Sequence, residues 1–234
     1  MNAIQTEPHH YKHGALECEG YLAYDGATYA KRPGILIIHD APGQNPFVRR
    51  RAVLLARLGY AALVLDLYGG GKLAKDAAEA DALSGGLLAE PEQLRERAKA
   101  GLDSLRTVRC AESRSTAVIG YGFGGSAALE MARAGHDLRG VASFHGPLAS
   151  RRPAEPGAVK GRVLVLHGAD DARVPPAQVQ AFQDEMRRAG ADWQMSVYGG
   201  AASGFTNPES GAAYSEAADR RSWQALKDFF TEIF

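Results

Sequence analysis

The sequence has little cysteine, no excess of charge of either sign and no long apolar run. Only two cysteines, Cys18 and Cys110, occur in 234 residues, and neither sits in a CxxC or Cys/His spacing. A disulfide framework and a zinc site are therefore not expected, and free thiols fit a reducing cytoplasm. The 27 basic side chains are balanced by 27 acidic ones. Nucleic-acid binding draws on a clustered basic excess. Here the arginine groups at Arg49 to Arg51, Arg151 and Arg152, and Arg187 and Arg188 are scattered, so no nucleic-acid partner is expected. No apolar run approaches the roughly 18 residues of a membrane span. The opening MNAIQTEPHHYKH has no apolar h-region, so no signal peptide is expected either. These absences point to a soluble, cytoplasmic protein with no membrane partner.

The hydrophobic fraction is 45%, enough for one large core, and a single domain over residues 1–234 is the expectation. Short apolar runs alternate with longer amphipathic stretches, the rhythm of a buried parallel sheet with crossover helices. Strands are predicted at Gly34 to His39, Tyr60 to Leu65, Thr116 to Tyr121, Gly140 to His145, Arg162 to His167 and Trp193 to Tyr198, with an antiparallel edge at Tyr21 to Tyr24. Helices are predicted near Phe47 to Leu58, Pro91 to Val108, Gly125 to Ala134, Pro175 to Ala189 and Tyr214 to Ile233. Right-handed crossovers place such helices on both faces of the sheet, giving a three-layer α/β sandwich. Residues 1–13 read as a flexible tail. Residues 69–90, rich in Gly and Ala, read as a short helix that either caps a pocket or forms a surface excursion.

In such sheets ligands bind outside the carboxyl ends of the strands. The most informative stretch there is VIGYGFGGSAA at Val118 to Ala128, a strand running through glycines into a helix. Gly120, Gly122 and Gly125 match the spacing of a dinucleotide fingerprint, but several strands precede the turn and His145 ends the next strand, where an acidic ribose ligand would belong. No cofactor is expected. The other mechanism is a nucleophile elbow, with Gly120 and Gly124 flanking the apex. The apex residue is Gly122, which tolerates a strained backbone and offers no nucleophile.

A set of motifs in order now carries a resemblance: IIHDAPGQN at Ile37 to Asn45, LDLYGG at Leu65 to Gly70, GYGFGG at Gly120 to Gly125, SFHG at Ser143 to Gly146, HGADDARVPP at His167 to Pro176 and YGGAASGFTNP at Tyr198 to Pro208. Over roughly Arg32 to Phe230 the chain resembles the dienelactone hydrolases, within the α/β-hydrolase superfamily. The resemblance implies an α/β-hydrolase sandwich whose ancestral reaction is hydrolysis of small esters or lactones by a Cys, His and Asp triad. It matches Asp171 to the triad acid, Gly122 to the nucleophile position and Ser203 to the histidine position. Asp40 stands where the family has a glutamate facing the thiol, and the N–H groups of Phe123 and Ala41 match the oxyanion donors. A substrate-binding arginine of the family corresponds to Asn207.

Glycine cannot form a covalent intermediate, and a serine hydroxyl is too weak a base near neutrality. The expectation is a family member with a degenerate triad, weak or no hydrolysis, and a retained site for a small ester, lactone or carboxylate. The alternatives are a hydrolase using a displaced catalytic set, with Asp40 or His145 activating water, and a deliberately inactivated family enzyme. His39, His145 and His167 end strands on the same rim and read as structural histidines pairing with loop backbone. No metal ligand set is expected, and the sequence leaves the oligomeric state open.

Overall fold

A computed structural model describes residues 4–27 and 30–234. The contacts of the chain fall into two compact units, Met1–Val118 and Ile119–Phe234.

The first unit holds β1 (Ile4–His13), β2 (Leu16–Asp25), β3 (Arg32–Ile38), α1 (Pro46–Arg57), β4 (Ala61–Val64), α2 (Ala77–Ala89), α3 (Pro91–Thr107) and most of β5 (Ala111–Tyr121). Its strands lie in the order β1-β2-β4-β3-β5. β3 and β4 are parallel, buried on both faces, and correspondingly apolar. Local chemistry sets the helix starts. The side chain of Asn45 accepts the Val48 N–H at 3.2 Å with Pro46 at the first helical position, and that of Asp76 accepts the Glu79 N–H at 2.8 Å.

The expected flexible tail is corrected over residues 4–13, residues 1–3 lying outside the described residues. Ile4–His13 is an ordered strand paired antiparallel with β2 through the turn at Gly14. The expected edge strand is consequently internal, lying between β1 and β4. β1 is mostly exposed, so its sequence carries no alternating apolar signal; backbone pairing and one buried side chain hold it. That side chain is Tyr11, whose hydroxyl donates to the Asp66 carbonyl and accepts the Asp66 N–H, each at 3.0 Å.

Asp66 organises the loop after β4. Its Oδ1 accepts the N–H groups of Tyr68 at 3.0 Å and Gly69 at 2.8 Å, and its Oδ2 those of Glu19 at 3.0 Å and Gly71 at 2.8 Å. Gly69, Gly70 and Gly71 all have positive φ, which lets the first and third amides meet the carboxylate while the Gly70 N–H donates to the Glu17 carbonyl at 2.8 Å. Replacing Asp66 with Asn points an NH₂ at donors, and is expected to cost about 3 kcal/mol. Hydrogen exchange should then accelerate at the amides of Glu19, Tyr68, Gly69 and Gly71. Unchanged protection at those four would remove the carboxylate from this role.

The second unit holds the end of β5, α4 (Phe123–Arg133), β6 (Gly140–Phe144), β7 (Arg162–Gly168), α5 (Pro176–Ala189), β8 (Trp193–Tyr198), a 3-10 turn at Pro208–Ala213 and α6 (Glu216–Ile233). Its strands run in the order β5-β6-β7-β8, with β6, β7 and β8 parallel in register. In α6 Leu226, Phe229 and Phe230 are buried, and Trp223 and Ile233 flank them half-buried. Burying each large side chain stabilises the unit by about 1.5–3 kcal/mol. A buried ion network joins α4 to α5. Arg133 Nε and Nη2 donate to Glu185 Oε1 and Oε2 at 2.8 and 2.9 Å, Nη1 to Glu130 Oε1 at 3.1 Å, and Nη2 also to the Leu148 carbonyl at 2.7 Å.

Cys18 is buried in β2 and Cys110 is half-buried just before β5, each a free thiol whose pKa burial pushes up. Residues 69–90 contain the predicted helix as α2, which packs against α3. Among the described residues no helix is long and apolar enough to cross a membrane.

Candidate active site

The glycine-rich turn sits where β5 passes into α4. Gly122 is the apex, with φ 53° and ψ −119°, a backbone combination that costs other residues about 1–3 kcal/mol. A Cβ on Gly120 would stand 1.9 Å from the Gly124 carbonyl oxygen, so the strand and the helix approach more closely than any side chain allows. The Gly122 N–H donates to the Phe144 carbonyl at 2.9 Å, fixing the apex to the end of β6. The elbow geometry predicted from the glycines is present, with no side chain at its tip. Phe123, whose N–H is the matched oxyanion donor, begins α4. Ser126 is turned into the protein, its hydroxyl donating to the Pro147 carbonyl at 2.7 Å.

Asp171 follows β7 and Ser203 follows β8. The two loops are joined by backbone bonds, from Ala169 N–H to the Tyr198 carbonyl and from Asp170 N–H to the Ala201 carbonyl, both 2.9 Å. This pairing brings Asp171 and Ser203 together although 32 positions of sequence separate their numbers. Asp171 is buried. Its Oδ1 accepts the Arg173 N–H at 3.0 Å, while its buried Oδ2 has no hydrogen-bond partner. Arg173 fills the space between acid and serine: its Nη2 donates to Ser203 Oγ, and its Nε lies 3.8 Å from Asp171 Oδ1. The sequence reading missed Arg173. The signal was its place two residues beyond the acid, within the HGADDARVPP motif.

His145 has φ +41°, a strained value for a non-glycine residue. Its Nε2 meets Thr206 Oγ1 at 2.8 Å and its ring packs edge-on against Phe205, with centroids 5.1 Å apart. It is thus held by a side chain from the β8 loop, where loop backbone was the expected partner. His167 departs further from the expectation: its ring is buried, yet neither nitrogen makes a hydrogen bond. Asn207, at the family's arginine position, caps the 3-10 turn by accepting the Glu209 N–H at 3.1 Å.

Asp40 and Ala41 belong to the first unit, in the loop after β3. Asp40 Oδ1 accepts the Ala41 N–H at 2.7 Å, so the amide matched to an oxyanion donor points at a neighbouring carboxylate. The Ala41 carbonyl is fixed as well, by the Tyr68 hydroxyl at 2.8 Å. Burial, reinforced by the charge of Asp40, pushes the Tyr68 phenol pKa up and keeps it a donor. His39 behaves as the sequence suggests. Leu67 N–H donates to Nε2 at 3.3 Å, which places the proton on Nδ1, and Nδ1 donates to the Asp40 carbonyl at 2.8 Å. Full burial lowers its pKa and holds the ring neutral.

Among the described residues no group of three or more His, Cys, Asp or Glu side chains is arranged to hold a metal ion. The second unit holds a strained glycine apex, a buried carboxylate with one unbonded oxygen, and a serine bound by an arginine.

Comparison with known proteins agrees with this fold. The model of the dienelactone hydrolase family matches residues 18–234. A crystal structure of a dienelactone hydrolase-like promiscuous phosphotriesterase, P91, from metagenomic libraries is 35% identical, with a TM-score of 0.93 and 99% of each chain covered. A structure named m3DLH is 37% identical, with a TM-score of 0.94 and the same coverage. The uncharacterized protein K02A2.1 of Caenorhabditis elegans is 34% identical over 61% of this chain and 95% of its own length. Family model, sequence identity and an α/β fold with a mostly parallel sheet all agree, and the chain belongs to the dienelactone hydrolase family.

Proposed function

We propose that this chain binds a small ester, lactone or carboxylate in the manner of its family and does not hydrolyse it through the family's covalent route. The observation that carries the reading is the state of Asp171. In a working triad the acid orients a histidine through a hydrogen bond. Here its Oδ2 is buried without a partner, and Ser203, at the histidine position, is engaged by Arg173. Gly122 at the elbow apex removes the nucleophile as well. A displaced catalytic set gains little support, since the Asp40 carboxylate accepts the next backbone amide and His145 Nε2 is bonded to Thr206. The engaged Ala41 amide further weakens any oxyanion site built on it.

Turnover of p-nitrophenyl acetate and a small aryl lactone is expected to lie about a millionfold below that of a family member with an intact triad. Rapid-mixing kinetics should show no burst of p-nitrophenolate. A burst equal to the protein concentration would demonstrate an acyl-enzyme and overturn the reading. Steady turnover abolished by Asp40→Ala would instead establish the displaced set.

A further inference from the structure

The helix α1 has arginines at positions 49, 50, 51 and 57 and no acidic residue, whereas α3 and α6 carry acids among their bases. An ordinary solvated helix face mixes the two signs. The spacing i, i+3, i+4, i+7, i+8, i+11 puts Pro46, Arg49, Arg50, Val53, Leu54 and Arg57 along one side of α1. Together with Tyr21 of β2 they line a groove of about 480 Å³, which follows roughly 16 Å of the helix. No acidic side chain lines it. Arg57 is exposed and Arg49 half-buried, and among the described residues neither pairs with an acid. The Arg49 guanidinium lies instead over the Tyr21 ring, 5.1 Å from its centroid. Leu54, in the groove, and Leu58, one turn on, are 36% and 45% exposed, two of the five exposed large hydrophobic side chains among the described residues.

We infer that this groove is a binding site for a small anionic amphiphile, a carboxylate carried on an alkyl chain. All of its lining belongs to the first unit, so the inference does not depend on the state of the triad. Charge complementarity selects the head group. A guanidinium presents a planar fork of donors that matches a carboxylate, and three of them stand here with no acid to oppose an anion. A cationic ligand would meet only like charge. The chain of the ligand is matched by Pro46, Val53, Leu54 and the Tyr21 ring, and covering the exposed leucine removes apolar surface from water. The volume lies within the range of small-molecule sites, which pair apolar walls with a few placed polar groups. A free carboxylate suits the site better than an anionic lipid surface, because these apolar side chains line a concavity and a bilayer is met by apolar side chains that project into it.

Isothermal titration of the full chain with octanoate, acetate and octylammonium tests this directly. Octanoate is expected to bind with a Kd of roughly a millimolar or tighter, and to shift the backbone amide resonances of α1. Acetate, which lacks the chain, should bind at least tenfold more weakly, and octylammonium should not bind. Raising the salt concentration from about 50 to about 500 mM should weaken octanoate several-fold. The double replacement Arg49→Gln with Arg57→Gln should weaken it tenfold or more, while Arg57→Lys alone should keep most of the affinity. Leu54→Asp, a change at an exposed helical position, should abolish binding and leave the far-UV circular dichroism of the parent. Octanoate binding that survives both the double replacement and Leu54→Asp would place the ligand elsewhere and overturn the site. Absence of octanoate binding, or equal binding of octylammonium, would overturn it too. Co-sedimentation with phosphatidylglycerol vesicles in a protein that ignores octanoate would overturn it in favour of a membrane surface.

Discussion

The double replacement Gly122→Cys with Ser203→His is expected to raise p-nitrophenyl acetate hydrolysis by about four orders of magnitude or more. Each replacement alone should recover little, because nucleophile and base act as a unit. Gly122→Cys supplies a thiol with no base beside it, and Ser203→His a base with nothing to activate. The structure supports the pair because Gly122 already holds the elbow backbone at φ 53° and ψ −119°. The second replacement also gives the buried Asp171 Oδ2 a hydrogen-bond donor. The stabilities should move in opposite directions. Gly122→Cys forces a side chain into a conformation that favours glycine, at a cost of about 1–2 kcal/mol. Ser203→His satisfies the open oxygen and is expected to recover about 1–3 kcal/mol. A folded double variant with no burst and no turnover would show that more than the triad separates this chain from active relatives, with the Ala41 amide held by Asp40 the first place to look.

Glu185→Ala is expected to destabilise the protein by about 3–5 kcal/mol, because it leaves Arg133 buried without its principal counter-ion. For a chain of this length that corresponds to a fall in Tm of about 10 °C. Arg133, Glu130 and Glu185 are all buried, and Glu185 Oε1 also accepts the Ala154 N–H at 2.7 Å, so the truncation orphans a backbone donor as well. Glu185→Gln keeps an acceptor for that donor and should cost less. The charge adds a pH dependence with a definite sign. The Arg133 guanidinium and the Ala154 N–H hold the Glu185 carboxyl below its ordinary 4.5 in spite of its burial. Between the folded and unfolded values the unfolded chain binds more protons, so stability rises with pH there. The contribution is complete above about pH 4.5 and is lost as the pH falls further. Urea midpoints measured at pH 7 and pH 4 should therefore differ less in Glu185→Gln than in the parent. An equal difference in both would place the acid sensitivity elsewhere.

Much of this was legible in the chain, and the parts that were not share a cause. The core strands and crossover helices announce themselves because burial on both faces demands contiguous apolar runs, and a buried helical stripe demands its spacing. The elbow was equally plain, since a strand passing through closely spaced glycines into a helix has few other uses. β1 escaped because an exposed strand is held by backbone pairing, which any sequence provides, and by Tyr11 reaching Asp66 across 55 positions. Arg173 escaped for a similar reason: its role depends on two loops meeting, and neither loop alone shows it.

Sequence alone determined the family, the elbow, and the absence of a side-chain nucleophile at Gly122, because these depend on residue identity and local order. Only the tertiary structure decided what became of the groups around it. Asp171 Oδ2 is left open, Ser203 is held by Arg173, and the Ala41 amide is turned to Asp40. Hydrogen-bond partnership is a property of atoms a few ångströms apart, and the loops that bring them together are paired by backbone bonds that no side-chain pattern encodes.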